Sequence, residues 1–338
     1  MKTTIISSLL GGALGDSLGL PSEGMNARRV ARLRPGTLRQ SLVFGHGMVS
    51  DDTEHAVMTL LSLRDSDGDE KKFTDALARR LRWWLASVPA GIGMATARSI
   101  IKLWFGFNPS SSGVVSAGNG PLMRAPVIGL WFPDSHPQRE RMVQASTAMT
   151  HRDPRALEAA LMIAEAAAIA GSKTQGASEI LDRLERHVVS GEMRIRFANL
   201  REHLAAHQSV QIFANSFSRK LGFVSGFAPD TAAVAIYAWL LHRGDFTATV
   251  ESVIRAGGDT DTVAFVAGAL SGAEVGVDGL NQSWLATLAD WPLSIGYLKT
   301  VTDSDSRNFP RWPLLMIRNL ALLAIVLTHG VRRLFPPY

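Results

Sequence analysis

Apolar residues recur every three to four positions along most of this chain, which is the spacing of helices that bury one face. The clearest segments are residues 5–14, 56–61, 154–170, 232–241 and 263–273. The alternation typical of strands is almost absent, and no long sequence unit repeats. We therefore predict a compact, single-domain, all-α fold over residues 1–338. The motifs described below lie in residues 5–276, and residues 277–338 are expected to form a C-terminal extension packed on them.

Three segments break the helical pattern: residues 21–50, 106–126 and 291–313. Long irregular segments in a helical domain often carry function. The first ends at a cluster of acidic residues. The second contains Ser116-Ala117-Gly118-Asn119-Gly120-Pro121, which could place backbone N–H groups against an anion.

Two apolar regions are expected to be buried. The longest apolar run, residues 320–327, is too short to cross a bilayer. Its flanking Arg318 and Arg332 would also suit a helix on a membrane surface, but a buried terminal helix is the favoured interpretation. The aromatic pairs Trp83-Trp84 and Trp104-Phe105 are expected in the core, with stacking of one ring on a base as the alternative.

Composition narrows the class of protein. Apolar residues make up 46% of 338 residues, enough for a large core, and cysteine is absent. The absence of cysteine excludes disulfides, thiolate zinc sites and a cysteine nucleophile, and it fits a cytoplasmic protein. The N-terminus lacks a convincing signal-peptide pattern. The net charge of +5 is spread along the chain without a basic block, so we do not predict nucleic-acid binding. The shortness of the longest apolar run predicts that the chain has no membrane span.

Two acidic clusters stand far apart in the sequence: Ser50-Asp51-Asp52-Thr53 and Gly257-Gly258-Asp259-Thr260-Asp261-Thr262. Carboxylates this crowded repel one another unless a cation lies among them, and such oxygen ligands suit Mg²⁺ or Mn²⁺. The simpler alternative is helix capping, with Ser50 or Asp51 as an N-cap, Glu54 closing a capping box, and Asp261 capping the next helix. The paired glycines before Asp259 favour a loop that presents side chains to one point.

Other polar residues have an ordinary and a functional interpretation. Glu23 follows Pro21, so it begins a loop and is either solvated or free to reach a site. Asp16, inside a helix, is expected to be a structural hydrogen-bonding group. His151 has no second histidine at ligand spacing and is not predicted to bind a metal. Asn119 and the following glycine could be an ordinary turn.

Five motifs in order give the chain a resemblance to the ADP-ribosylglycohydrolase family. They are Gly15-Asp16-Ser17-Leu18-Gly19 followed by Glu23, then Ser50-Asp51-Asp52-Thr53, then Asn119-Gly120-Pro121-Leu122-Met123-Arg124-Ala125-Pro126, then Thr150-His151, and finally Gly257 to Thr262. Ser50 replaces the threonine found in many members and keeps the hydroxyl. The chain beyond about residue 277 is less diagnostic.

The resemblance implies an all-α fold with two adjacent Mg²⁺ or Mn²⁺ ions at the base of a cleft. The implied metal ligands are Ser50, Asp51, Asp52, Asp259, Asp261 and Thr262. Glu23 is the implied catalytic carboxylate, with Asp52 as the second candidate. The implied ADP-ribose contacts are Gly118, Asn119, Gly120, Met123 and His151, with Gly91, Ile92 and Gly93 as a further pocket loop.

The expected activity is removal of ADP-ribose from a modified protein side chain, with arginine-linked ADP-ribose the favoured target. Related proteins also cleave serine-linked or O-acetyl conjugates. One alternative is an immunity-type protein that neutralises an ADP-ribosyltransferase toxin by occlusion, as well as or instead of hydrolysis. Another is hydrolysis of a free ADP-ribose conjugate. The expected partners are therefore ADP-ribose, an ADP-ribosylated protein and, in the alternative, a toxin.

Overall fold

The computed structural model describes residues 1–172, 176–303 and 309–332, and these form an almost entirely helical fold. Its α-helices are α1 (Lys2–Gly19), α2 (Ala27–Leu33), α3 (Asp51–Ser66), α4 (Glu70–Ala86), α5 (Met94–Trp104), α6 (Ala125–Trp131), α7 (His136–Ala148), α8 (Pro154–Ser172), α9 (Ala177–Glu185), α10 (Gly191–Ala205), α11 (Val210–Asn215), α12 (Ala228–Leu241), α13 (Phe246–Ala256), α14 (Thr260–Val275), α15 (Gln282–Thr287), α16 (Ile295–Thr300) and α17 (Trp312–Arg332). The all-α prediction is confirmed, and each of the five predicted segments lies in a helix.

The centre of the fold is a pair of helices, α1 and α14, that pack along their lengths. Small residues make this approach possible. A Cβ atom on Gly15 would lie 1.9 Å from the carbonyl oxygen of Ala264, and one on Gly11 would lie 2.3 Å from that of Gly268. Neither glycine can therefore carry a side chain without moving the neighbouring backbone. Helices α8 and α12 also pack on α14 and are buried along most of their lengths.

A short antiparallel ladder fixes the loops at one end of this pair. Strand β1 (Met25–Asn26) follows α1 after a 3-10 turn, and strand β2 (Gly257–Gly258) precedes α14. Met25 pairs with Gly258. Both glycines of β2 have positive φ values, 73° and 96°, and a Cβ on Gly258 would clash with the backbone of Val224. Here the chain requires glycine for both conformation and space.

The capping predictions are partly correct. Ser50 caps α3, because its Oγ accepts the N–H of Asp52, and α8 begins at Pro154 while Asp153 accepts the N–H of Arg155. Two details were wrong. Glu54 forms no capping box and instead contacts residues distant in sequence. Helix α14 begins at Thr260, one residue before Asp261, so Asp261 lies inside its first turn.

Burial of the aromatic pairs was predicted wrongly for three of four rings. Trp84 is buried, but Trp83, Trp104 and Phe105 are exposed. Trp83 lies near Trp104 edge-to-face and stacks with Trp312 at the start of α17, with ring centroids 6.3 Å apart. These rings cover one another at the surface and leave much of their apolar area in contact with water.

The C-terminal helix also differs from the expectation of a buried helix. One face of α17, including Leu315, Arg318, Asn319 and Leu322, is buried, but most of its other apolar side chains are exposed. By length and composition alone, residues 312–331 would be long enough and apolar enough to cross a membrane. The predicted limit of 320–327 was too narrow because it counted only the uninterrupted run of apolar residues.

Candidate metal centre

The first acidic cluster is held by a carboxylate from α1. Asp16 accepts hydrogen bonds from the backbone N–H of Ser50 at 3.0 and 2.9 Å and from the Thr53 hydroxyl at 2.5 Å. Burial raises the pKa of Asp16 to about 6, against the opposing effect of these hydrogen bonds. The structural role predicted for Asp16 is thus confirmed: it fixes the start of α3, where Asp51 and Asp52 lie.

The second cluster begins α14, and the ladder places it beside the first. Thr260 donates its hydroxyl to the carbonyl of Gly19 at 2.8 Å, which ties α14 to the end of α1. The side chain of Asn119 donates to Asp259 at 2.8 Å and to the Thr231 hydroxyl at 3.0 Å. Asn119 is therefore more than a turn residue, because its amide orients one acid of the cluster.

Carboxylate oxygens at this junction are buried without hydrogen-bond partners among the described residues. They are both oxygens of Asp52 and one oxygen of Asp261. Burial, followed by the charges of Asp51, Asp16 and Asp259, raises the pKa of Asp52 well above its usual value. Burial and then the charges of Glu23, Asp259 and Asp52 do the same to the pKa of Asp261. Buried acids are normally paired or bound to a metal, so this oxygen-only group fits a hard divalent cation.

Both clusters face one cavity of about 330 Å³. Its acidic lining residues are Glu23, Asp51, Asp259 and Asp261. The remaining predicted residues in its wall are Gly91, Gly93, Gly118, Asn119, Gly120, Met123, His151 and Thr262. The two stretches of sequence that were expected to meet thus share a cavity, as the metal-centre hypothesis requires.

A buried arginine, Arg124, connects the Thr150-His151 segment beside the cavity to α3. Arg124 donates to the Thr150 hydroxyl at 2.7 Å and lies 3.1 Å from Nδ1 of His55. Burial lowers the pKa of Arg124 to about 9. Burial, followed by the charge of Arg124, lowers the pKa of His151 to about 3, so His151 is neutral. The imidazole can therefore hydrogen-bond a ligand without adding positive charge.

The loop at residues 116–121 differs from a simple anion-binding loop. The N–H of Gly118 donates to the Ser116 hydroxyl, and the N–H of Asn119 donates to the carbonyl of Gly226. Two N–H groups expected to face an anion are therefore used within the protein. The loop contributes the side chain of Asn119 to the cavity, and Gly118 and Gly120 form part of the cavity wall.

Some predicted residues lie behind the cavity wall, and others in the wall were missed. Ser50 and Asp52 are buried beneath the lining, and Ile92 packs against the core. Gly226, which the sequence analysis did not single out, is a lining residue, and a Cβ there would lie 2.9 Å from Oδ2 of Asp259. The need for glycine at position 226 is visible only in the folded structure, because the sequence Ser225-Gly226-Phe227 matches no recognised motif.

Glu54 belongs to a buried ion-pair group beneath the metal motif. Nη1 of Arg318 lies 3.0 Å from Oε1 of Glu54, and Nη2 of Arg318 lies 2.5 Å from Oδ2 of Asp290. Asp290 also accepts the N–H of Val49 at 2.9 Å, and Arg318 donates to the Val49 carbonyl. Asp290 and Arg318 therefore hold the backbone N–H and carbonyl of Val49, the residue that precedes Ser50.

A second group with metal-ligand chemistry lies elsewhere, at His136, Glu165 and His187. Arg139 and Arg183 also donate to the Glu165 carboxylate. Two guanidinium groups already balance its single charge. This cluster therefore needs no cation for its charge, unlike the unpartnered oxygens at the cavity.

Comparison with known proteins supports the family resemblance that the five motifs indicated. The family model described as ADP-ribosylglycohydrolase matches residues 2–309. The ADP-ribosyl-[dinitrogen reductase] glycohydrolase of Rhodospirillum rubrum is 25% identical over 288 residues, covering 84% of this chain and 89% of that protein. A protein of Archaeoglobus fulgidus is 28% identical over 299 residues, covering 86% of this chain and 93% of its own length.

Among solved structures, an ADP-ribosylglycohydrolase-related protein complex contains a chain with the same fold. It aligns with a TM-score of 0.68 at 24% identity, covering 94% of this chain and 98% of the other. The chain described here belongs to the ADP-ribosylglycohydrolase family.

Proposed function

We propose that this ADP-ribosylglycohydrolase removes ADP-ribose from modified protein side chains, that arginine-linked ADP-ribose is its substrate, and that two Mg²⁺ or Mn²⁺ ions support the reaction. The observation that carries this proposal is the set of buried carboxylate oxygens of Asp52 and Asp261 that have no hydrogen-bond partner among the described residues, beside a cavity lined by Asp51 and Asp259. A cellular location in the reducing cytoplasm fits the absence of cysteine.

The proposed ligands are Ser50, Asp51, Asp52, Asp259, Asp261 and Thr262. Their hydroxyl and carboxylate oxygens are those that hard divalent cations prefer. When bound, such ions supply positive charge that orients ribose hydroxyls and lowers the pKa of a coordinated water. Asp16 and Asn119 act one step further out, because they hold the start of α3 and the Asp259 carboxylate in place.

Glu23 is the carboxylate that we propose exchanges a proton at the anomeric centre. It lies at the exposed mouth of the cavity, whereas Asp52 is buried below the lining. A general base must reach the proton that it accepts, so geometry favours Glu23 over Asp52. In this role a Glu23 oxygen accepts a proton from the attacking water and can return it to the leaving group.

The charge of the cavity favours a cationic acceptor. Of its four lining acids, Asp51, Asp259 and Asp261 are proposed metal ligands, so Glu23 is the carboxylate whose charge the substrate meets, and the described lining contains no lysine or arginine. The guanidinium of an arginine-linked conjugate complements that charge better than the neutral ether oxygen of a serine-linked one. The neutral His151 and the Asn119 loop line the same cavity and offer a ribosyl group hydrogen-bonding side chains instead of further negative charge.

The test is hydrolysis of an ADP-ribosylated arginine protein, with a serine-linked substrate assayed alongside. We expect activity with Mn²⁺ or Mg²⁺ and none in EDTA, and we expect Glu23→Gln to lower kcat by about 10²–10⁴-fold. Asp259→Asn should weaken Mn²⁺ binding measured by electron paramagnetic resonance. Asp75→Asn, at an exposed acid on α4, is the matched control and should change neither. Full activity in EDTA would contradict the metal centre, and preferential cleavage of the serine linkage would contradict the proposed acceptor.

The two alternatives predict different products. A protein that acts only by occluding a toxin would bind it and release no ADP-ribose. An enzyme for free conjugates would hydrolyse a small ADP-ribosyl compound faster than a modified protein. The retained set of buried acids supports hydrolysis. Release of ADP-ribose from the protein substrate would decide against occlusion alone, and faster release from that substrate than from the small compound would decide against the free-conjugate alternative.

A further inference from the structure

Helix α17 presents a long apolar face to solvent. Its most exposed large side chains recur at helical spacing and are Leu314, Ile317, Leu320, Leu327 and Val331, with exposed fractions from 41% to 60%. Residues 312–331 contain a single formally charged side chain, Arg318, and that side chain is buried. At 1.5 Å per residue the helix is about 31 Å long. An uncharged exposed stripe of this length marks an interaction surface.

The buried face prevents this helix from leaving the protein to cross a bilayer. Arg318 is ion-paired with Glu54 and Asp290. The next residue, Asn319, donates its side-chain amide to the Ser87 carbonyl at 3.1 Å and to its hydroxyl at 3.0 Å. Extraction would expose these groups to hydrocarbon without partners. The helix can therefore lie on a membrane surface but not span it.

The start of α17 adds a positively charged, aromatic hollow to the apolar stripe. The hollow has a volume of about 470 Å³ and is walled by Trp83, Trp312 and Phe309. Its arginines are Arg79, Arg80 and Arg311, and its one acid, Asp65, pairs with Arg80. Arg79 and Arg311 are exposed and form no ion pair with a described residue. Tryptophan beside arginine, next to an apolar stripe, is the composition of surfaces that contact lipid headgroups.

Further apolar side chains extend the surface beside the helix. Trp291, 57% exposed, lies with Met48 next to Ile317 and Ala321. Phe44, 99% exposed, occupies a turn closed by Val43 and His46. That turn is fixed to the helix, because Val43 packs on the cluster containing Leu322 and the carbonyl of Leu42 accepts from His329.

We propose that α17 and the adjoining Trp–Arg hollow form a docking surface for anionic phospholipid membranes. In this mode the helix lies in the plane of the headgroups, with its exposed stripe among the acyl chains and Arg79 and Arg311 beside lipid phosphates. The family match ends at residue 309, so the helix lies outside the segment that identifies the enzyme. Its buried face supports the metal motif through Arg318, but its exposed stripe takes no part in the proposed hydrolysis.

Charge decides between a membrane and a second copy of the chain. Arg311 precedes the helix, and Arg332 and Arg333 end or follow it, so both ends are basic. Pairing two copies in either orientation would bring like charges together. An anionic bilayer matches both the apolar stripe and its basic ends.

The experiment is co-sedimentation of the full chain with vesicles of phosphatidylcholine alone or containing about 30% phosphatidylglycerol. We expect binding to the anionic vesicles and at least about tenfold weaker binding to the neutral ones. The double variant Ile317→Glu with Leu320→Glu should abolish binding. The matched control is Ile195→Glu with Ile212→Glu, at similarly exposed sites on α10 and α11, and it should bind as the native chain does.

Arg79→Ala and Arg311→Ala should each weaken binding by about fivefold. Thermal unfolding in the absence of lipid checks that every variant is folded, and ADP-ribose release from a soluble substrate should stay unchanged in all of them. Binding to neither vesicle type, equal binding to both, or a lipid-free dimer that the Ile317→Glu and Leu320→Glu variant disrupts would each overturn the proposal. None of these results bears on hydrolysis.

Discussion

Replacement of Arg318 by methionine should destabilise the protein and loosen the metal motif together. The substitution removes the guanidinium that faces Glu54 at 3.0 Å and Asp290 at 2.5 Å. All three side chains are at most 2% exposed, so water cannot replace the lost partner. Breaking a buried ion pair by removing one member typically costs about 3–5 kcal/mol, because the remaining charge is left uncompensated.

The predicted consequence can be measured as a shift in unfolding. At roughly 2 °C per kcal/mol for a chain of this size, we expect the melting temperature of Arg318→Met to fall by about 6–10 °C. Mn²⁺ affinity should also fall, by about 10–100-fold, because Arg318 and Asp290 hold the backbone carbonyl and N–H of Val49, the residue before Ser50.

Two further variants make this test specific. Arg243→Met removes a more exposed partner of Glu274, and should cost about 1 kcal/mol or less without changing Mn²⁺ affinity. Neutralising both acids in the Arg318→Met background, as Glu54→Gln and Asp290→Asn, should recover most of the lost stability. A melting temperature within 1 °C of the native value for Arg318→Met would refute the uncompensated-charge argument.

Three other outcomes follow from contacts described above. Gly15→Ala should lower the free energy of unfolding by about 1–3 kcal/mol and lower the melting temperature accordingly. The added Cβ would lie 1.9 Å from the carbonyl oxygen of Ala264, so α1 and α14 would have to move apart. Against the effect of burial, the interaction with His187, followed by those with Arg139 and Arg183, lowers the pKa of Glu165. Its stabilisation is therefore present above the unfolded-state value near 4.5 and is lost as pH falls below it, so the difference in melting temperature between the native chain and Glu165→Gln should be large at pH 7 and shrink with acidification. Finally, desolvation raises the pKa values of Asp51, Asp52 and Asp261, so the metal-free protein should lose stability as pH rises above about 4. Added Mn²⁺ should restore that stability most strongly at neutral pH, as differential scanning fluorimetry can show. A pH-independent effect of Mn²⁺ would contradict that linkage.

The sequence predicted those features that depend on local spacing. The periodic apolar residues of α1, α8 and α14 defined helices because a buried face repeats with the helical turn. Ser50 was recognisable as an N-cap because its hydroxyl oxygen accepts a hydrogen bond from the N–H of Asp52, only two residues away. The motif order indicated which acids would share a cavity, and the fold brings Asp51 and Asp259 to the same one.

Features that depend on distant partners could not be predicted in this way. Glu54 looked like part of a capping box, but its partner Arg318 lies 264 residues further along the chain. The exposure of Trp83 and of the outer face of α17 could not be predicted either. A buried helix and an exposed apolar surface can have the same apolar composition. Gly226 became informative only when its distance to Asp259 was known.

The close packing of α1 against α14 has a consequence during protein synthesis. Helix α1 ends at Gly19 and its partner begins at Thr260, so about 240 residues separate them. At roughly 5–20 residues per second, a nascent α1 waits about 12–50 s before its partner leaves the ribosome. Until then its glycine-lined face has no surface to pack against, and no partly translated chain that stops before α14 can bring the two acidic motifs together.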